Sequence, residues 1–128
     1  MPKILVTTLP HEGHLNPTFG IANELRKRGH DIAYLGHPII DEKISSQDFP
    51  ILKNRKMGIA DIGFLFIMLI LQKSRGEREM KMAMRLFTTR LKPQVKHINY
   101  LIDSYHPDII INDAFHYAGA LASEIKNL

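Results

Sequence analysis

The fold is decided by the segment Lys3-Ile-Leu-Val-Thr-Thr8 and by the loop His11-Glu-Gly-His-Leu-Asn-Pro17 that follows it. The segment is a continuous run of β-forming residues, which is typical of a parallel strand buried on both faces. Asn16 is a good N-cap and Pro17 suits the first helical position, so the sequence predicts that a helix begins there. The expected core-facing stripe of this helix is Thr18, Ile21, Ala22 and Leu25, with Gly29 just beyond its end.

The rest of the chain continues this alternation of strands and helices. Further strands are expected at 31–35, 49–52 and 108–113, with helices at 40–45 and 114–127. Between them lies a long helical region, which Pro93 divides or kinks. Its apolar stripe comprises Met80, Met84, Phe87, Leu91, Val95, Ile98 and Ile102. The order predicts one α/β domain over residues 1–128, with a Rossmann-like, doubly wound parallel sheet of strand order 3-2-1-4.

Composition excludes several classes of protein. The 128 residues include no cysteine, so a disulfide framework and a thiolate metal site are impossible, which fits a cytoplasmic protein. The longest apolar stretch, residues 62–71, is about half of what a membrane span needs. No membrane span is therefore expected. The net charge of +4 is dispersed over helical segments, so no nucleic-acid partner is expected either. The fourth strand is expected near an open sheet edge, which suggests part of a larger protein or a subunit that needs a partner.

The candidate chemistry lies where the strands end. Ligands of doubly wound sheets bind outside the carboxyl ends of the strands, beside the first one. In the order 3-2-1-4 the first and fourth strands are neighbours, so His14 and Asp113 should approach each other. An imidazole held by a carboxylate is suited to act as a general base. The alternatives are that Asp113 only caps the following helix and that His14 is an ordinary polar loop residue.

Other ligand chemistries find less support in the same loops. The loop after the first strand holds Gly13 as its only glycine, so it lacks the Gly-x-Gly-x-x-Gly pattern of a dinucleotide site. The remaining histidines there have no close-spaced partner on one helix face, so no metal site is predicted. His11, Glu12, His37 and His116 lie in these loops as pocket-lining or surface residues. No cofactor is expected.

Two motifs carry a family resemblance. Leu9-Pro-His-Glu-Gly-His-Leu-Asn-Pro-Thr18, followed by Arg28-Gly-His30, resembles the start of the UDP-dependent glycosyltransferases of family 1, above all the bacterial macrolide and natural-product enzymes. His106-Pro-Asp-Ile-Ile-Ile-Asn-Asp-Ala-Phe-His-Tyr117 is similar to the fourth strand and following loop of that family. The resemblance implies a GT-B architecture, in which one lobe binds the acceptor and the other binds the nucleotide sugar.

The resemblance also implies roles for particular residues. His14 would deprotonate the acceptor hydroxyl and Asp113 would orient His14, with inversion at the sugar and no metal. The segment from Met57 to Met84 would line a pocket for a small hydrophobic acceptor such as a macrolide, although an ordinary helix core is an alternative for most of it. The expected acceptor-binding residues are His11, Glu12, Phe64, Phe66, Met68, Phe115 and His116.

The donor signature of the family has no counterpart in these 128 residues. The C-terminal donor-binding domain is therefore expected to be absent, and the isolated chain is expected to be inactive, since a UDP-sugar would bind mainly to that missing lobe. One alternative is a non-catalytic or partner-dependent subunit that docks with a separate donor-binding protein. Another is a flavodoxin-like or nucleotide-binding domain unrelated to sugar transfer.

Overall fold

The computed structural model describes residues 1–53 and 76–128. The expected acceptor residues Phe64, Phe66 and Met68 lie outside the described residues. Four strands and four helices are described: β1 Lys3–Thr7, α1 Glu12–Lys27, β2 Asp31–Leu35, α2 Asp41–Ser45, β3 Ile51–Leu52, α3 Glu77–Tyr105, β4 Ile109–Asn112 and α4 Tyr117–Lys126. Within the described residues, no helix is long and apolar enough to cross a membrane.

The four strands form one parallel sheet in the order β3-β2-β1-β4, which confirms the predicted topology. Strand β1 lies in the interior of the sheet, and its Val6 pairs with Tyr34 on one side and Ile111 on the other. Apolar side chains alternate between the two faces of such a strand, which is why a continuous apolar run suits it. The register also places Thr7 beside Asn112, so the ends of β1 and β4 coincide.

Helices cover both faces of the sheet. One cluster of buried side chains joins α1 and α2 to the sheet; it consists of Ile4, Val6, Leu15, Ala22, Ile32, Tyr34, Ile40, Ile44 and Phe49. The other joins α3 and α4 to the opposite face and consists of Leu5, Leu35, Ile98, Leu101, Ile102, Ala118 and Ala122. Since β1 contributes alternate residues to the two clusters, the sheet is doubly wound.

Helix α1 begins at Glu12, earlier than predicted. His11 is the N-cap residue, because its extended backbone (φ −143°, ψ 136°) lets its Nδ1 accept a hydrogen bond of 3.1 Å from the Gly13 N–H. The expectation that Asn16 caps the helix is wrong, and Pro17 lies inside it. The stripe is shifted accordingly: Leu15 and Ala22 are buried, whereas Ile21 is 55% exposed.

Helix α3 differs from its prediction in two respects. It runs without interruption through Pro93, so the expected division is wrong; loss of one backbone hydrogen bond does not outweigh the packing on both sides of that residue. It ends at Tyr105, and the left-handed backbone of the C-cap residue His106 (φ 52°, ψ 61°) stops the helix before Pro107. The predicted stripe is packed from Leu91 onward, but Met80 and Met84 are exposed.

Strand β4 lies at the edge of the described sheet. Ile109 is 45% exposed and the other three residues are half-buried, so β4 is less buried than the interior strand β1. The physical reason is that only β1 borders it among the described strands. Helix α4, which follows, presents a second apolar face to solvent through Tyr117, Leu121 and Ile125, four residues apart in each step.

Candidate active site at the carboxyl edge of the sheet

His14 and Asp113 meet at the carboxyl ends of β1 and β4. His14 lies in the first turn of α1, and Asp113 is the residue that follows β4. The His14 Nδ1 atom lies 2.7 Å from Oδ2 of Asp113, with the imidazole 33% exposed and the carboxylate 12% exposed. The predicted approach of these two side chains, which lie near opposite ends of the sequence, is confirmed. Their catalytic role stays a prediction.

The Asp113 carboxylate is held from three further directions. The Phe115 N–H donates to Oδ1 at 3.1 Å, the Leu9 N–H donates to Oδ2 at 3.4 Å, and the Thr8 hydroxyl lies 3.3 Å from Oδ2. Burial raises the pKa of Asp113, but the two N–H groups and the neighbouring His14 together lower it by more than burial raises it. The pKa of Asp113 therefore lies below the usual 3.8. Asp113 is therefore a fixed negative charge at neutral pH.

This environment determines where the proton of a neutral His14 lies. An ionised carboxylate only accepts hydrogen bonds, so Nδ1, which faces Asp113, carries the hydrogen. The lone pair is then on Nε2, and the partly exposed ring can receive a proton there. The imidazolium that results would be stabilised by Asp113. The pair thus has the geometry of a general base with its orienting carboxylate.

Two aromatic rings border His14. The Phe115 ring lies edge-on to it with centroids 5.6 Å apart, and the His11 ring does the same at 6.1 Å. Phe115 is 59% exposed, so His14 is beside an apolar surface open to solvent. Of the expected acceptor-binding residues, these two lie beside His14, and their role stays a prediction.

Glu12 and His37 are directed into local contacts. Glu12 forms an ion pair of 3.0 Å with Lys43 of α2, and the Glu12 side chain is well exposed while that of Lys43 is half-buried. The His37 Nδ1 accepts a hydrogen bond of 3.3 Å from the Ile39 N–H, within the turn that leads to α2. Among the described residues, no group of three or more His, Cys, Asp or Glu side chains is arranged to hold a metal ion.

A second imidazole, His116, lies at the same edge. Burial lowers its pKa from 6.5 to about 4; the nearby Asp113 opposes this shift and His37 adds to it. Its Nδ1 lies 3.4 Å from the Asn112 Oδ1, which also accepts a hydrogen bond of 2.5 Å from the buried Thr7 hydroxyl. Thr7, Thr8 and Asn112 are not among the site residues predicted from the sequence. The available signal is two adjacent threonines that end an otherwise apolar strand, opposite an Asn-Asp pair in the predicted neighbour.

Gly119 allows these polar side chains to converge. A Cβ at this position would collide with Oδ1 of Asn112, Nδ1 of His116 and Oγ1 of Thr7. We expect Gly119→Ala to lower the free energy of unfolding by about 1–2 kcal/mol, since overpacking outweighs the better helix propensity of alanine. Gly20→Ala is the matched control: it lies inside α1 with nothing within 4 Å of the added methyl, and should stabilise by up to about 1 kcal/mol. Urea denaturation of both variants measures the difference, and equal effects would contradict the packing argument.

His116 should make stability depend on pH. The folded protein holds it neutral down to about pH 4, whereas the unfolded chain protonates it near pH 6.5. Its contribution is therefore fully present above pH 6.5 and is lost as the pH falls toward 4, by as much as about 3 kcal/mol. Denaturation curves of the wild type and His116→Asn between pH 7 and 4 test this. We expect a shallower slope for the variant; parallel slopes would contradict the prediction.

No protein-family model matches the chain. An uncharacterized UDP-glucosyltransferase of Bacillus subtilis, YojK, is 40% identical over 48 residues, which cover 38% of this chain and 12% of that protein. The NDP-glycosyltransferase YjiC of Bacillus licheniformis is 23% identical over 126 residues, 94% of this chain and 29% of that protein. The chain thus spans less than a third of the length of these curated relatives.

Solved structures cover the whole chain. The calicheamicin glycosyltransferase CalG4 superimposes with a TM-score of 0.74 at 17% identity, over 99% of this chain and 30% of its own. The chain has the fold of a GT-B glycosyltransferase N-terminal domain. The spinosyn rhamnosyltransferase SpnG in complex with spinosyn aglycone agrees, with a TM-score of 0.70 at 14% identity over 100% of this chain and 32% of its own. In this GT-B N-terminal fold, His14 and Asp113 occupy the carboxyl edge of the sheet.

Proposed function

We propose that the chain is the acceptor-binding domain of an inverting glycosyltransferase, which moves a sugar from a UDP-sugar or another NDP-sugar to a hydroxyl of a small hydrophobic acceptor. The observation that carries this proposal is the 2.7 Å contact between His14 and Asp113 at the carboxyl edge of a GT-B sheet. Attack by an alcohol needs a base beside the hydroxyl, and this pair offers one.

The chemistry follows from the proton positions. Nε2 of His14 takes the proton of the acceptor hydroxyl as the oxygen attacks the anomeric carbon from the face opposite the diphosphate. A bond forms between that carbon and the acceptor oxygen, the bond to the diphosphate oxygen breaks, and the nucleoside diphosphate leaves with the electron pair. Asp113 stabilises the imidazolium until the proton passes to solvent. The donor would bind mainly to a second domain.

The relatives support the substrate classes. YojK and YjiC are named as UDP- and NDP-sugar enzymes, and SpnG has been solved with thymidine diphosphate as well as with its aglycone. The exposed Phe115 beside His14 favours an apolar acceptor such as a macrolide, since an apolar ligand that covers the ring removes apolar surface of both partners from water. Reducing cytoplasm is the proposed location, consistent with the absence of cysteine.

A partner-dependent role is the second candidate. The apolar face of α4, formed by Tyr117, Leu121 and Ile125, adjoins the edge strand β4 and is exposed. Such a surface is typical of a docking site. In this version the domain that binds the donor is a separate protein and the chain is its partner subunit.

The test is a transfer assay with the complete protein to which this chain belongs, alone and with a separate donor-binding protein. UDP-glucose and a thymidine diphosphate sugar are offered with a macrolide aglycone, and the anomeric configuration of the product is read by NMR. We expect transfer with inversion. Retention of configuration would contradict the mechanism, and transfer only after addition of the second protein would favour the partner-dependent role. Absence of transfer to any hydroxylated hydrophobic compound would contradict both.

A further inference from the structure

The Asn112 side chain lies at the centre of a hydrogen-bonded group at the end of β4. Its Nδ2 donates to the main-chain carbonyl of Asp113 at 2.7 Å, and its Oδ1 accepts from the Thr7 hydroxyl at 2.5 Å. The same Oδ1 lies 3.4 Å from Nδ1 of His116. Thr7 is fully buried, and the absence of a side chain at Gly119 leaves room for the whole group.

The directions of these hydrogen bonds follow from the Asp113 main-chain carbonyl, because its role as an acceptor is fixed. The carbonyl of Asp113 can only accept, so the Asn112 amide must present Nδ2 to it. Oδ1 then faces Thr7 and His116. Because this oxygen also only accepts, the Thr7 hydroxyl donates to it, and the 3.4 Å contact with His116 is a hydrogen bond only when the His116 Nδ1 carries the hydrogen. The lone pair of the neutral His116 ring is consequently on Nε2.

His14 and His116 therefore have the same tautomer but different partners. His14 faces an ionised carboxylate, which stabilises a positive ring. His116 faces a neutral amide in a buried setting, and burial keeps its pKa near 4, so it remains uncharged at neutral pH. A ring that does not take a proton cannot serve as the base, but its Nε2 can accept a hydrogen bond.

We propose that His116 is a specificity-determining residue, whose Nε2 accepts a hydrogen bond from a second O–H or N–H group of the acceptor while His14 takes the proton of the reacting hydroxyl. The two imidazoles are attached to the same structural unit, since Asp113 holds His14 and the His116 N–H donates to the Asp113 carbonyl at 2.9 Å. The site then selects acceptors that carry a donor group near the reacting hydroxyl, such as a vicinal diol. This inference rests on the proposed function.

Selection of this kind has a clear energetic basis. A ring nitrogen that is left without a donor loses its hydrogen bond to water when an acceptor molecule covers it. Sites built to pair with a polar group of the substrate therefore discriminate against analogues that lack the group far more strongly than apolar pockets discriminate by size. Asn112 and Thr7 act as positioning residues here, because they fix the ring tautomer without touching the acceptor.

The transfer experiment compares two acceptors that differ by one hydroxyl, a vicinal diol and the matched mono-alcohol, in the complete protein. We expect the wild type to prefer the diol. In His116→Phe the ratio of kcat/KM for the diol to kcat/KM for the mono-alcohol should fall by about 10–100-fold, and His116→Gln should restore part of this preference through its side-chain oxygen. Equal losses for both acceptors, or none, would overturn the proposal. If the wild type transferred sugar to neither compound, the proposed function would fail, and this inference with it.

A second measurement does not depend on sugar transfer. In the 128-residue chain labelled with 15N-histidine, the imidazole nitrogen signals of His116 at pH 7 report which atom carries the hydrogen. We expect hydrogen on Nδ1 in the wild type and a mixture of tautomers in Asn112→Leu, which removes the accepting oxygen. Hydrogen on Nε2 in the wild type would overturn the proposal even if transfer were efficient.

Discussion

Sugar transfer by the His14→Ala variant of the complete protein is expected to fall by a factor of about 10²–10⁴, the usual contribution of a general base. The variant keeps the Asp113 carboxylate and the aromatic ring of Phe115 but has no nitrogen to receive the proton of the acceptor hydroxyl. The loss should appear in kcat with little change in the acceptor KM, because the interaction develops in the transition state.

His97→Ala is the matched control for that experiment. His97 lies on α3, which packs against the face of the sheet opposite α1, so its removal should leave transfer within about twofold of the wild type. Thermal denaturation of both variants separates a chemical effect from unfolding. Undiminished transfer by a folded His14→Ala protein would eliminate His14 as the base.

Asp113→Asn is expected to lower transfer by about 10²–10⁴-fold as well, through the tautomer of His14. An amide can donate as well as accept, so the substituted side chain could present its NH₂ group to Nδ1 and move the imidazole hydrogen to Nε2. A base that carries its hydrogen on the reacting nitrogen cannot accept another. The amide also gives up one of the two N–H donors that now bind the carboxylate, which should cost about 1–3 kcal/mol of stability.

The chain provides the same substitution at the other end of β4 as a control. Asp108 accepts a hydrogen bond of 2.7 Å from the Lys3 N–H at the amino edge of the sheet, at the opposite end of β4 from Asp113. Asp108→Asn should cost comparable or less stability without a large change in kcat. If the two variants lost activity in proportion to their loss of stability, Asp113 would be a structural residue alone.

Much of the fold could be predicted because its signals are local or topological. Apolar runs of four or five residues predict β1 and β2. The rule that ligands bind at the carboxyl ends of parallel strands directs attention to the loops after β1 and β4, where His14 and Asp113 meet. These inferences need only the order of elements and not their details. The sheet order followed in the same way.

The sequence does not predict features that depend on which of two competing contacts prevails. Asn16 and His11 both precede helical sequence, and the sequence does not show that the His11 ring reaches the Gly13 N–H. The hydrogen bonds of Thr7 and Thr8 join residues 105 positions apart, so no local pattern predicts them. Met80 and Met84 satisfied the helical period but lie on an exposed stretch, because periodicity indicates a face and not what covers it.

Pairing between β1 and β4 has a consequence for how the protein acquires its chemistry. Residues 4–7 must find residues 109–112 across nearly the whole chain, and such long-range parallel contacts form slowly. His14 lies on the helix after one strand and Asp113 at the end of the other. A nascent or partly folded chain therefore carries two ordinary polar residues, and the proposed base forms only when the two ends of the sequence have joined.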